Sequence, residues 1–270
     1  LDAHEYYVRL GQKLITFLSA PTEEGVAYKI DMRLRPSGRA GPLVSSLESF
    51  RHYHQTSSEL WERQALIKAR FVAGDRSLGT EAEKVAEEFA YGHGLTAVGV
   101  AEIHYLRMRM EKELAHEDST QFNLKKGKGG LVDIEFLTQM LELSHAYRAP
   151  SLRQRGTLEA LKGLRKEKIL SEADYQLLSE GYLFLRNLDH WLRLQRDQSI
   201  DILDREAEQL HGVAQALGYK GNKRKSPGEL LLRDYELRRE RIRACYGRFF
   251  KIGDTELNGE EERRGLNNGK

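Results

Sequence analysis

In the stretch YKIDMRLRPSGRAGPLV, residues 28–44, the charged side chains Lys29, Asp31, Arg33 and Arg35 alternate with the apolar Tyr28, Ile30, Met32 and Leu34. A period of two predicts a half-buried strand over residues 26–35, with one carboxylate set among three cations on its polar face. Side chains two apart on a strand lie roughly 6–7 Å from one another. A carboxylate can hold Mg²⁺ while neighbouring guanidiniums grip phosphate oxygens in bidentate fashion, a combination that suits phosphoryl or nucleotidyl transfer. The plainer alternative is a solvent-facing strand laced with weak ion pairs. Pro36, Ser37, Gly38 and Gly41 end the strand and place a flexible loop beside the charged face, which favours the ligand-binding reading.

Two further stretches carry candidate chemistry. In WERQALIKAR, residues 61–70, Arg63 and Lys68 could feed a phosphate site, with Arg70 beside them. Their plain reading is a surface helix with local ion pairs and Trp61 in the core. In FNLKKGKGGLVDIEF, residues 122–136, Lys125, Gly129 and Gly130 lead into a helix whose free N–H groups and positive dipole end face whatever precedes them. The spacing is not that of a Walker loop. Asp133 and Glu135 are two apart and so fall on opposite sides of that helix, Asp133 beside the apolar row of Ile134, Leu137 and Leu141. Favourable contact with the helix dipole would also explain Asp133, and simple exposure would explain Glu135. The histidines show no metal-ligand spacing, and His52 and His54 read as surface residues. Cys245 reads as a buried, inert thiol.

Around these residues the elements can be read from periodicity and caps. Tyr7, Leu10, Leu14, Ile15 and Leu18 predict a first amphipathic helix. From residue 47 onward the reading is mostly helical, with breaks near Gly74, in YGHG and in KKGKGG. Ser171 with Asp174 predicts one helix start, and Ser226 with Pro227 and Glu229 another, that last helix ending near Phe250. The fold class is therefore α+β, mostly α: a small mixed front part over 1–76, a helical bundle over 77–250, and a polar, disordered tail over 251–270.

The chain has 43 basic and 41 acidic residues, a balance that argues against a protein whose main task is to coat nucleic acid. No apolar run reaches the ~20 residues of a membrane helix. A single cysteine leaves no internal disulfide, which suits a reducing, cytoplasmic location.

Taken together, YKIDMRLRPSGRAGPLV, WERQALIKAR followed by GD, and KGGLVDIEF followed by HAYRAPSLR resemble the bifunctional glutamine synthetase adenylyltransferase/adenylyl-removing enzymes. The resemblance runs over about residues 1–203 and weakens towards 250. It implies one half of such an enzyme, a polymerase-β-like nucleotidyltransferase fold followed by a helical bundle. One half of that family moves AMP from ATP to a tyrosine of glutamine synthetase. The other removes it by phosphorolysis to give ADP, and PII signalling proteins and glutamine bias the two activities. In such folds three carboxylates bind two Mg²⁺, and IDMRLRP matches the segment that carries the third. The resemblance thus implies Asp31 as a metal ligand. Arg33, Arg35 and Lys125 are implied to neutralise phosphate charge, with Gly129, Gly130, Asp133 and Glu135 at the helix start and Arg63 and Lys68 as further nucleotide contacts.

The Gly-Ser…Asp-x-Asp segment that supplies the other two carboxylates is not in this sequence. The expectation is an N-terminally truncated piece that is inactive alone. RLRPSG and WERQAL point to the C-terminal, adenylylating half. The alternatives are the adenylyl-removing half, a docking module for glutamine synthetase or a PII protein without chemistry, and a nucleotidyltransferase acting on another substrate.

Overall fold

The computed structural model describes residues 2–196, 201–206 and 210–267, with side chains as far as residue 250 except that of Arg196. The chain divides into two compact units, Leu1–Gly92 and His93–Lys270.

The first unit opens with helix α1 (Ala3–Ser19) and a two-residue antiparallel ribbon, β1 (Pro21–Thr22) with β2 (Gly25–Val26). Helices α2 (Leu47–Thr56), α3 (Leu60–Leu66) and α4 (Arg76–Tyr91) follow. Each has a chemical start signal. Ser46 accepts the Ser49 N–H, Glu59 and Glu62 form a reciprocal capping box, and Asp75 accepts the Leu78 N–H. Helix α4 packs on α2 and α3 through Val85, Ala86 and Ala90, and this is where the unit's core lies. The predicted strand over 26–35 is not formed. Only Gly25 and Val26 belong to a ladder, and residues 28–35 run on without a strand partner among the described residues. Alternation specifies which faces a strand would present, but a strand needs a neighbour to take its backbone groups. Tyr28 and Leu34, expected inside, lie exposed. The stripe on α1 behaves likewise: none of its residues is buried, and Phe17 keeps 81% of its surface open.

The second unit is a helical bundle. Its helices are α5 (Ala97–Leu114), α6 (Leu131–His145), α7 (Thr157–Lys166), α8 (Glu172–Arg196), α9 (His211–Ala216) and α10 (Pro227–Asn267). Helix α10 packs against α5, α6, α8 and α9, so it forms the spine of the bundle. Its start follows the expected capping box: the Ser226 N–H donates to Glu229 Oε2 at 2.6 Å, and the Glu229 N–H donates to Ser226 Oγ at 3.2 Å. Helix is assigned as far as Asn267, past the end expected near Phe250. Residues 268–270 of the expected tail lie outside the described residues. A short antiparallel pair, β3 (Gln121–Asn123) with β4 (Ile202–Asp204), sets Phe122 opposite Leu203. The fold is thus α+β and mostly α, as the sequence predicts.

Candidate functional site

Three candidate residues of the first unit, Asp31, Arg33 and Arg35, lie on the segment between β2 and α2. Asp31 does not stand apart from its neighbours. Arg33 Nε lies 2.9 Å from each of its carboxylate oxygens, Arg33 Nη2 is 2.6 Å from Oδ2, and the Arg33 N–H donates to Oδ1 at 2.9 Å. These hydrogen bonds from Arg33, with the positive charges of Arg33 and Arg39, hold the Asp31 acid down to about 2. Asp31 and Arg33 form a single local clamp, which a flat strand carrying side chains ~6–7 Å apart would not allow.

Arg35 turns inward instead. Its guanidinium donates to the backbone carbonyls of Met32 at 2.9 Å and of Arg39 and Gly41 at 3.3 Å. It therefore staples the Pro-Ser-Gly loop, whose turn uses left-handed backbone at Ser37 and Gly38. Gly41 has to be glycine, because a Cβ there would sit 1.9 Å from the Pro36 carbonyl oxygen.

Arg63, proposed from sequence as a phosphate contact, is buried on α3. Its Nε donates to the Ala90 carbonyl at 2.9 Å, and burial lowers its basicity. Lys68 lies exposed in the turn that closes α3. Two expectations about the surrounding helices are corrected. Trp61 is 38% exposed rather than in the core, because α3 turns its Glu62–Arg63–Gln64 side inward. His54 is 9% exposed rather than on the surface, enclosed by the rings of Phe50, Tyr53 and Phe89 at 4.6–5.4 Å. Burial keeps its imidazole neutral to lower pH than usual.

Lys125, Gly129, Gly130, Asp133 and Glu135 belong to the second unit, on the loop between β3 and α6 and the first turn of α6. That loop is held by backbone hydrogen bonds such as Gly127 N–H to the Asn123 carbonyl and Val132 N–H to the Lys125 carbonyl, and by several side chains. Asn123 Oδ1 accepts the N–H groups of Lys125 and Lys126 at 3.1 and 2.8 Å. Glu117 accepts the Asn123 N–H at 3.0 Å, Arg107 Nη2 donates to the Gly127 carbonyl at 2.9 Å, and Arg239 Nε donates to the Lys128 carbonyl at 2.8 Å. Gly129 takes a left-handed φ of 71°, and a Cβ there would meet the Arg239 carbonyl at 2.0 Å. Lys125 and Lys128 remain exposed on this fixed backbone.

Asp133 stands in the first turn of α6, where the helix dipole favours an acid, and it is fully buried. It lies 2.6 Å from Arg107 Nε and 3.0 Å from Arg243 Nη1, and it accepts the Gly129 N–H at 2.8 Å. Glu111 completes the cluster, 3.1 Å from both arginines. Two acids balance two guanidiniums, which a buried site requires. Glu135 is half-buried on the flank of the same helix. Sequence reasoning missed Arg107, Arg243, Glu117 and Arg239. The one available signal was Arg107 four residues after Ile103, on what must be the apolar side of α5.

The donor set does not make a magnesium site by itself. Asp31 is the single carboxylate of its clamp and Arg33 engages both its oxygens. Among the described residues no group of three or more His, Cys, Asp or Glu side chains is placed to hold a metal. Among them, too, no helix is long and apolar enough to cross a membrane.

Residues 1–85 match the family model described as glutamate-ammonia ligase adenylyltransferase, and residues 101–250 match that described as GlnD PII-uridylyltransferase. The bifunctional glutamine synthetase adenylyltransferase/adenylyl-removing enzyme of Nitrosococcus oceani is 35% identical over 220 residues, covering 82% of this chain and 23% of that protein. Its counterpart in Pseudomonas putida is 35% identical over 219 residues, covering 81% of this chain and 22% of that protein. The Pasteurella multocida enzyme is 36% identical over 201 residues, covering 74% and 20% respectively. The chain thus spans less than a quarter of the length of these relatives.

Proposed function

This chain belongs to the family of the bifunctional glutamine synthetase adenylyltransferase/adenylyl-removing enzymes, and from that membership we propose that it serves the transfer of AMP from ATP to a tyrosine of glutamine synthetase. The observation that carries the reading is the Asp31–Arg33 clamp. A carboxylate that stays ionised down to about pH 2 is held on an exposed segment, within the stretch that matches the adenylyltransferase model.

The chemistry follows from these residues alone. An incoming phosphate competes with Asp31 for the Arg33 guanidinium, since both offer paired oxygens to the same fork. Arg33 then carries charge compensation to the phosphate and releases the carboxylate oxygens into the site. Arg35 positions rather than binds: with its guanidinium on three carbonyls, it sets the loop that follows the clamp. Mg²⁺ at Asp31 remains part of the proposal only with further ligands beyond this donor set, and no step above passes through it. Regulation by a PII protein and by glutamine belongs to the same proposal.

The test is the transfer of α-labelled AMP from ATP to glutamine synthetase by a protein that carries this chain and its full catalytic domain. Asp31→Ala is expected to abolish labelling, and Arg33→Ala to raise the KM for ATP. Labelling that ignores Asp31 would sink the reading. The names of the relatives also support adenylyl removal as a second reading. Release of ADP from adenylylated glutamine synthetase and inorganic phosphate, without forward transfer, would select it.

A further inference from the structure

Ser37 takes a left-handed φ of 57°, in the loop that Arg35 staples. Its neighbour Gly38 adopts positive φ freely, but a residue with a Cβ does so at a cost and keeps that shape where its surroundings impose it. The loop's own hydrogen bonds are short-range. The Gly38 N–H donates to the Arg35 carbonyl at 2.8 Å, and the Ala40 N–H to the Ser37 carbonyl at 3.2 Å. A further contact comes from α2: the N–H and hydroxyl of Ser37 approach the phenolic oxygen of Tyr53 as donors.

Tyr53 is itself aimed. Its hydroxyl donates to Glu62 on α3, 2.8 Å from one carboxylate oxygen and 3.0 Å from the other. Glu62 is buried, and its Oε2 also accepts the Glu59 N–H at 2.8 Å within the box that starts α3. A hydroxyl whose proton is committed to a fixed acid turns its lone pairs the other way, here towards Ser37. The loop, α2 and α3 meet at that one oxygen.

The loop also carries charge to the clamp. Arg39 lies on it, and its positive charge acts on Asp31 together with that of Arg33. Arg35 ties the Met32 carbonyl, beside the clamp, to the carbonyls of Arg39 and Gly41 across the loop. A change of backbone at Ser37 therefore moves Arg39 relative to Arg33.

We propose that Tyr53 is a positioning residue for the Asp31–Arg33 clamp: through Ser37 it sets the loop so that Arg39 joins Arg33 on an incoming phosphate. The assignment rests on the transferase reading given above, and within it Tyr53 touches no reacting atom.

The experiment is the same AMP-transfer assay, in a protein that carries this chain and its full catalytic domain. Tyr53→Phe keeps the ring and removes the hydroxyl. It is expected to raise the KM for ATP about tenfold and to keep kcat within about twofold, the pattern of lost phosphate binding. A merely structural role would lower the active fraction, and with it kcat, while KM stayed in place. Glycine adopts positive φ unaided, so adding Ser37→Gly to Tyr53→Phe should bring the KM back to within about threefold of the parent. In the 270-residue chain by itself, Tyr53→Phe should speed hydrogen exchange at the Ser37 amide about tenfold. An unchanged KM, a fall in kcat without a rise in KM, a double variant no better than Tyr53→Phe, or unchanged exchange at Ser37 would each overturn the assignment. Loss of labelling in Asp31→Ala would then leave the transferase reading standing. Transfer that ignores Asp31, or no transfer by the parent protein, would remove both.

Discussion

Arg107 and Asp133 meet at 2.6 Å with neither side chain exposed to any degree, and Arg243 reaches the same carboxylate from α10 at 3.0 Å. This contact fixes the start of α6, because the other oxygen of Asp133 holds the Gly129 N–H. Removing one partner from a buried ion pair leaves the other charged and unsolvated, a change that costs about 3–5 kcal/mol. Asp133→Asn should therefore destabilise the second unit by that order. Urea unfolding followed by circular dichroism reads it, and a change below ~1 kcal/mol would show that the cluster is not what holds the loop.

Gly129→Ala tests the same loop through its backbone. The new Cβ would have to fit a φ of 71° and a gap of 2.0 Å to the Arg239 carbonyl. Left-handed strain and overpacking together predict a loss of about 2–4 kcal/mol. Alanine at Gly218, where φ is also positive but no atom lies within 4 Å, should lose only the backbone part. Equal losses at the two sites would remove steric contact with Arg239 as the cause.

The Asp31–Arg33 clamp predicts an acid titration that can be followed by NMR on the side-chain carboxyl. Hydrogen bonds from Arg33 lower the group from 3.8 to about 2, so the pairing is complete above the ordinary carboxylate range and is lost as pH falls through about 2. Arg33→Ala should move the midpoint back up towards 3.8. Because both groups are exposed, the clamp should leave overall stability almost unchanged.

Cys245 offers a prediction of inertness. Its thiol is buried, and burial together with the Asp174 carboxylate pushes its pKa up to about 11. At pH 8 it is a neutral thiol out of reach of solvent. Reaction with a disulfide reagent should be slow in the native protein and fast in guanidinium chloride. Fast labelling of the folded chain would show that α8 and α10 separate readily around Cys245.

Much of the bundle was legible because helix starts are local chemistry. Ser226 with Glu229 and Ser171 with Asp174 each state a helix start within four residues, and the structure places one at both. The strand over 26–35 was misread for the opposite reason. Alternation from Tyr28 to Arg35 describes a face, whereas a strand also requires a neighbour that no local pattern reports. Asp133 shows the same limit at the site. Its separation of 26 residues from Arg107 and 110 from Arg243 left only its position beside an apolar row to hint at burial. His54 was missed because the rings that enclose it come partly from α2 and partly from Phe89 on α4, far along the chain.

The order in which the loop's clamps are made has a consequence for synthesis. Arg107, Glu117, Asn123 and Asp133 leave the ribosome close together, yet Arg239 and Arg243 follow more than a hundred residues later. Until α10 emerges, the glycine-rich turn holds only part of its anchorage, and the Asp133 cluster has two carboxylates to one arginine. Before α10 is made the cluster has one more carboxylate than arginine, and Arg243 on α10 supplies the missing positive charge. A chain stopped short of Arg239 would lack most of α10 and, with it, the contacts that Arg239 and Arg243 make to this loop and to Asp133.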